Sequence, residues 1–186
     1  NGQLQIKYNG SNKRIELRYG SNNNRLNLIT ATNSLTVSQW HHVMVTYDGG
    51  TTGSASGSVN SYYSRFSIYI DGVAQTTTNS HSNYGWSGSI IGDNLRIGRW
   101  NNGQNLRNSC KVDEVAVWGS DQGSNISDIY NSGTPHDLSS ITTPPDHWWR
   151  MGDGDNYPNL LDSGDTGGCT FVMYSMTAAS IVSDVP

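Results

Sequence analysis

Two runs of alternating residues constrain the fold of this chain more than any other feature. The first is WHHVMVTYDG at residues 40–49, and the second is FSIYIDGV at residues 66–73. Every second residue in them is apolar: Val43, Val45 and Tyr47 in the first run, and Phe66, Ile68 and Ile70 in the second. Period-two spacing rich in Val, Ile and Tyr predicts strands with one buried face, and the Asp-Gly that follows each predicts a turn.

Shorter runs of the same kind predict further strands, separated by turns rich in Asn, Ser and Gly. They lie at residues 4–8, 14–19, 25–29, 95–100, 112–118, 147–151 and 170–173. Helical spacing occurs at one place, where Ser124 is the predicted cap and Gly133 the predicted end. Strands at fairly even spacing with one short helix predict an all-β antiparallel sandwich or barrel.

The composition excludes several classes of protein. The 186 residues suit one β domain, and six Trp and ten Tyr argue against disorder although only 14% of the residues are charged. The net charge of −4 and the lack of a basic stripe argue against nucleic acid as a partner. No apolar run is long enough to predict a membrane span.

Several of these runs together carry a family resemblance. To the two runs above they add LRIG at residues 95–98, VDEVAVW at 112–118 and the helical turn at 126–133. In this order they resemble laminin-G-like, or concanavalin A-like, jelly-roll modules. The resemblance implies an antiparallel jelly-roll sandwich, a fold that hosts lectins, adhesion modules, hydrolases and spacers, so it does not fix the ligand.

The tail of the chain carries a second resemblance, through WWRMGD at residues 148–153, LDSG at 161–164 and IVSDVP at 181–186. It is similar to the end of such modules in structural proteins of tailed bacteriophages. This implies a virion or extracellular location, with other virion or surface proteins as partners and homo-oligomers left open. Those modules open with one or two further strands, so we expect residues 1–186 to be a single domain without its first strands.

Glycan binding is one of two interpretations of the aromatic residues in the loops. A sugar site needs exposed aromatic faces for stacking and short polar groups for the hydroxyls. The candidates stand in loops rich in Asn, Ser, Thr and Gly: Tyr62, Tyr63, Tyr84, Trp86, Trp100, Asn101 and Asn102. The alternative, equally open, is that Trp100 caps the core, since large aromatic side chains are often mostly buried.

Calcium is the candidate metal, and the sequence predicts no other cofactor. The densest group of oxygen ligands is Asp153, Asp155 and Asn156, although Asp and Asn also favour plain turns. Zinc at His41 and His42 is disfavoured because neighbouring strand residues point apart. We expect His42 to be half-buried and bonded to the backbone, with His41 outside.

The two cysteines are Cys110 and Cys169, and the sequence is equally compatible with one disulfide bridge or two free thiols.

Glycoside hydrolysis needs two facing carboxylates, and the only glutamates are Glu16 and Glu114. We expect Asp113 to fix backbone N–H groups and Glu114 to lie in solvent.

Taken together, these observations predict a non-enzymatic virion or surface module that touches glycans. The alternatives are a carbohydrate-binding module of a larger secreted enzyme and, less favoured, a glycoside hydrolase.

Overall fold

The computed structural model describes residues 3–21, 24–49, 64–80, 95–98, 110–174 and 176–182. The chain divides into two units, Asn1–Arg96 and Ile97–Pro186. In the described ranges, the regular structure is mostly antiparallel strand, with one short α-helix and several turns of 3-10 helix. The expectation of a single domain over residues 1–186 stays a prediction.

The described part of the first unit contains seven strands in two antiparallel sheets. The strands are β1 (Gln3–Asn9), β2 (Arg14–Ser21), β3 (Asn24–Ile29), β4 (Val43–Tyr47), β5 (Phe66–Ile70), β6 (Val73–Ala74) and β7 (Thr78–Asn79). One sheet has the order β1-β2-β3-β7, and the other has the order β4-β5-β6. Apart from β3 and β7, the neighbours in each sheet are also neighbours along the chain, and only two residues separate β5 from β6.

The core of the first unit lies between these two sheets. Its buried members are Ile15, Leu17, Leu26, Leu28, Leu35, Phe66, Ile68 and Ile70, with Val43, Val45 and Tyr47 packed against them. The rings of Tyr47 and Phe66, paired across β4 and β5, have centroids 4.8 Å apart. The predicted apolar face of β5 is therefore confirmed. In β4 the predicted face packs against the core but is only half-buried, and Met44 and Thr46 on the opposite face are the buried residues. The two sheets pack as a sandwich.

The turn between β5 and β6 is the one that Asp-Gly predicts. Asp71 has a φ of 50° and Gly72 a φ of 76°, and Ile70 pairs with Val73 across the turn. Two central residues with positive φ make the turn that matches the twist of a two-residue hairpin. The predicted turn is therefore confirmed, and it places the Asp71 side chain at the end of the β4–β5 pair.

The second unit is built from shorter elements. They are β8 (Val115–Val117), α1 (Ile126–Tyr130), β9 (His147–Trp149), β10 (Asn159–Leu160) and β11 (Phe171–Val172). β8 pairs with β9, and β10 pairs with β11, both antiparallel. The helix ends at Tyr130, three residues before the predicted end at Gly133, because Asn131 adopts a left-handed conformation with a φ of 44°. The helix cap is Asn125 rather than Ser124, which lies in the preceding 3-10 turn.

Other predicted strands are shorter than expected or absent. β4 begins three residues later than its run, and residues 95–98 form no strand. β8 begins at Val115 because Glu114 has a φ of 50°, which a strand cannot contain. Residues 112–114 therefore approach β8 as irregular chain.

Candidate functional site

The outer face of the β1-β2-β3-β7 sheet carries a cluster of charged and amide side chains. Ile15 and Leu17 point into the core, so the alternate residues of β2 point the other way. Antiparallel pairing sets Lys7 opposite Glu16 and Asn27 opposite Arg18. We call this cluster the polar face, and it consists of Lys7, Asn9, Arg14, Glu16, Arg18 and Asn27.

Glu16 is the centre of the polar face, and its side chain is only 1% exposed. Arg14 donates from Nε and Nη2 to Oε1 at 3.1 and 2.9 Å, and Arg18 donates from Nη2 to Oε2 at 2.6 Å. Asn9 also donates to Oε1, at 2.6 Å, and Lys7 Nζ lies 3.9 Å from Oε2. A buried carboxylate is stable when it is paired and hydrogen-bonded in this way.

These partners also set the protonation of Glu16. Burial alone raises the pKa of a carboxyl group. Here the hydrogen bonds from Asn9 and Arg14, with the charges of Arg18 and Lys7, outweigh burial and hold the pKa of Glu16 below its ordinary value. Glu16 is therefore a fixed negative charge that orients the cations around it.

The two arginines keep unused donors toward solvent. Arg18 Nε donates to Asn27 Oδ1 at 3.0 Å, and the Asn27 amide donates in turn to Ser80 Oγ. The side chains of Arg14 and Arg18 are 18% and 20% exposed, and within the described ranges neither Nη1 has an acceptor. These guanidinium donors can therefore form hydrogen bonds with an oxygen-rich or anionic ligand.

Sequence reasoning considered Glu16 only as a catalytic acid and did not single out its partners. The signal was the alternation RIELR at residues 14–18, in which the charged positions share one face of a strand. The partners on neighbouring strands depend on register, which the turn after Asn9 fixes.

The aromatic candidates for glycan binding lie outside the described residues. They are Tyr62, Tyr63, Tyr84, Trp86, Trp100, Asn101 and Asn102. Their role in binding stays a prediction.

The calcium candidates serve local contacts in the structure. Asp153 pairs with Arg150 at 2.7 Å. Asp155 accepts the backbone N–H groups of Gly152 and Leu161 at 2.9 and 2.6 Å, and Asn156 bridges to Asn159. Calcium binding there stays a prediction.

The histidine prediction is half right. His42 is half-buried, and burial lowers its pKa although the charge of Asp71 opposes this. His41 is not outside, because its side chain is only 16% exposed and its Nδ1 lies 2.7 Å from Asp71 Oδ2. The turn at Asp71 brings its carboxylate back over the start of β4. Strand periodicity alone does not predict this contact with His41.

The Asp113–Glu114 prediction is also half right. Asp113 accepts the backbone N–H of Glu114 at 3.1 Å, as expected. Glu114 does not lie free in solvent, because Trp148 Nε1 donates to its Oε2 at 2.6 Å and Arg150 Nε lies 3.5 Å from its Oε1. Burial raises the pKa of both carboxyl groups above their ordinary values.

The comparisons with known proteins decide the family. A family model described as the concanavalin A-like lectin/glucanases superfamily matches residues 1–121. The chain belongs to that superfamily. Searches of curated proteins and of solved structures returned no match.

Membership of the concanavalin A-like lectin/glucanases superfamily agrees with the sheets described above. The fold class is all-β, an antiparallel jelly-roll sandwich with one short α-helix in the described ranges. The matched residues contain the whole polar face. Within the part of the chain that the structure describes, no helix has the length and apolar character needed to span a bilayer.

Proposed function

We propose that this chain is a non-enzymatic glycan-binding module of a virion or another extracellular surface. Its membership of a superfamily of lectins and glucanases supports binding to carbohydrate. The observation that carries the proposal is the polar face, where Glu16 anchors two guanidinium groups that keep donors toward solvent. The same site would serve a carbohydrate-binding module of a larger secreted enzyme, so that alternative differs only in the parent protein.

The charge of the polar face favours acidic glycans. Guanidinium groups bind carboxylates and sulfates through paired hydrogen bonds. Arg14 and Arg18 share the single carboxylate of Glu16, so these three residues together carry one excess positive charge for a ligand. We expect glycans with uronic acid or sulfate groups to bind more tightly than neutral glycans, and salt to weaken the binding.

A glycan array followed by calorimetry on the best acidic and neutral glycans tests this function. Arg14→Gln and Arg18→Gln should each weaken binding of the acidic glycan by at least about tenfold, since a charged hydrogen bond contributes about 1.5–3 kcal/mol. Arg65→Gln is the matched control, because Arg65 is 22% exposed and also pairs with a carboxylate, Asp48. If both β2 variants bind the acidic glycan with the affinity of the native chain, the polar face is not the glycan-binding site.

The aromatic candidates need their own variants in the same assay. Trp86→Ala and Trp100→Ala should each weaken glycan binding by about 1–3 kcal/mol if the rings stack on sugar. Tyr174→Ala is the control, because Tyr174 is the most exposed large hydrophobic residue of the described ranges, at 77%. Unfolding of Trp100→Ala would instead place that ring in the core.

A glycoside hydrolase is the second candidate, and Glu114 is the observation that favours it. A general acid needs a raised pKa, and burial raises the pKa of Glu114. Against it, both Glu114 oxygens already have donors or cations beside them. Product release from acidic and neutral polysaccharides, lost in Glu114→Gln, would establish the hydrolase. We expect no release from either the native chain or the variant.

A further inference from the structure

Three different metal-binding side chains converge in the second unit. A ring nitrogen of His147, a carboxylate oxygen of Asp162 and Cys169 Sγ all lie within 4.8 Å of one another. His147 begins β9, and Asp162 forms a bridge with Trp149 of the same strand. Cys169 follows the loop 163–168, whose turns return the chain to β9.

We propose that His147, Asp162 and Cys169 bind a divalent transition metal ion of the zinc class. One nitrogen, one oxygen and one sulfur form a donor set that suits zinc, whereas calcium and magnesium take oxygen ligands. Ligand atoms around a tetrahedral zinc ion stand about 3.4–3.6 Å apart, given its bond lengths. The cluster is therefore near the required spacing, and coordination through His147 Nδ1 and Asp162 Oδ2 would replace the contact of 2.7 Å that these two atoms now make.

The backbone that carries these ligands is tightly held. Asp162 Oδ1 accepts the N–H groups of Trp148 and Gly164 at 2.9 and 3.0 Å, and Asp162 Oδ2 accepts the N–H of Cys169 at 3.1 Å. Ser163 N donates to the Trp148 carbonyl at 2.7 Å. These bonds fix the ligand loop against β9 before any ion arrives, which lowers the cost of ordering the ligands on binding.

Gly164 allows this close approach. A Cβ at Gly164 would stand 2.5 Å from His147 Cα, a distance that real side chains do not reach. The loop can therefore pass directly over the start of β9. This brings Asp162 and Cys169, which are separated by seven positions, to the same side of His147.

The site is open to an ion from solvent. Cys169 is exposed, His147 has a side chain that is 25% exposed, and Asp162 is 1% exposed. Asp162 then sits at the base of the site and the thiol at its mouth. Coordination by the thiolate sends the thiol proton to solvent and needs no oxidant or reductant. Water completes the fourth position, as in zinc sites with three protein ligands.

Titration of the full chain with Co²⁺, a spectroscopic substitute for zinc, tests the site under a phosphine reductant. We expect one ion per chain, an absorption band from thiolate-to-cobalt charge transfer, and displacement of the cobalt by Zn²⁺. Cys169→Ser should abolish the band and weaken binding by more than about a hundredfold, beyond the effect of losing an outer partner. His147→Gln should weaken binding without removing the thiolate band at saturating cobalt.

Two matched controls decide the assignment. Cys110→Ser removes the other exposed free thiol, and His136→Gln removes another histidine of the second unit. Both should bind cobalt as the native chain does. Cobalt binding that survives Cys169→Ser, or that Cys110→Ser abolishes equally, would overturn the proposal. Circular dichroism of each variant confirms that a lost band does not reflect a lost fold.

Discussion

The carboxylate of Asp71 joins the side chain of His41 to the start of β4. Asp71 Oδ2 lies 2.7 Å from His41 Nδ1, and Asp71 Oδ1 accepts the backbone N–H of His42 at 2.9 Å. Asp71 itself stands in the turn after β5, and its own N–H donates to the His42 carbonyl at 3.0 Å. The turn and the strand start are therefore one hydrogen-bonded unit.

The second unit repeats this arrangement. Asp162 Oδ2 lies 2.7 Å from His147 Nδ1, and Asp162 Oδ1 accepts the N–H of Trp148 at 2.9 Å. The spacing along the chain differs, with 30 residues between the first pair and 15 between the second. The same local chemistry therefore fixes the start of a strand in each unit.

Asp71→Asn should destabilise the chain by about 1.5 kcal/mol, the lower end of the range for a hydrogen bond to a charged group, because the Asp71 side chain is 37% exposed. Asparagine tolerates the positive φ of position 71, so the substitution isolates the carboxylate from the turn. Urea unfolding measures the change. Asp48→Asn is the control, because the Asp48 side chain is 45% exposed and its carboxylate pairs with Arg65. Equal losses in the two variants would contradict the role given to Asp71.

Glu16→Gln should destabilise the chain by about 3 kcal/mol, since it removes the buried carboxylate that pairs with the partly exposed guanidinium groups of Arg14 and Arg18. Lys7→Gln is the control, because Lys7 Nζ is 3.9 Å from the carboxylate and its side chain is 37% exposed. We expect a loss below about 1 kcal/mol for that variant. Urea unfolding at neutral pH compares the two variants. A Glu16→Gln variant with the free energy of unfolding of the native chain would show that the Glu16 carboxylate does not stabilise the polar face.

The contribution of Glu16 should disappear in acid. Its pKa is lowered in the folded chain from an ordinary value of 4.5, so its stabilisation is fully present above that pH. It is then lost as pH falls through the lower pKa of the folded state, because the unfolded chain binds the proton first. Unfolding midpoints over about pH 3–6 should show the native chain converging on Glu16→Gln below about pH 4.5. A constant difference across this range would argue against an ionised Glu16.

Gly164→Ala should destabilise the chain by about 2 kcal/mol, the usual cost of forcing extra atoms into a packed site. The added Cβ would meet the backbone of Asp146 and His147, which cannot move aside as a side chain can. Gly10→Ala is the control, because its Cβ would meet only Tyr8 Cε1, at 3.6 Å. Thermal unfolding compares them, and similar midpoints would mean that the loop 163–168 is not held against β9.

The sequence predicted the first unit better than the second. β5 has the predicted bounds because its alternation continues to the Asp-Gly turn that ends it. β8 is shorter because Glu114 adopts a positive φ, and a non-glycine residue gives no sequence signal for that conformation. The elements of the second unit are short, and their positions depend on tertiary contacts such as the bond from Trp148 to Glu114.

The candidate sites show a similar contrast. Arg14, Glu16 and Arg18 share a face through strand periodicity alone, so their grouping was available from the sequence. The meeting of His147 with Cys169 was not, because it depends on the path of a loop with no periodic pattern. Only the absence of a side chain at Gly164 permits that path.

Asp71 and Asp162 also allow the local unfolding of each unit to be measured separately. The amide protons of His42 and Trp148 are held by carboxylates from remote turns, so each exchanges with solvent only when its own turn lifts away. Deuterium uptake at these two amides would therefore compare the local opening free energies of the two halves in one experiment. An amide that exchanges early would mark the half of the chain that loosens first.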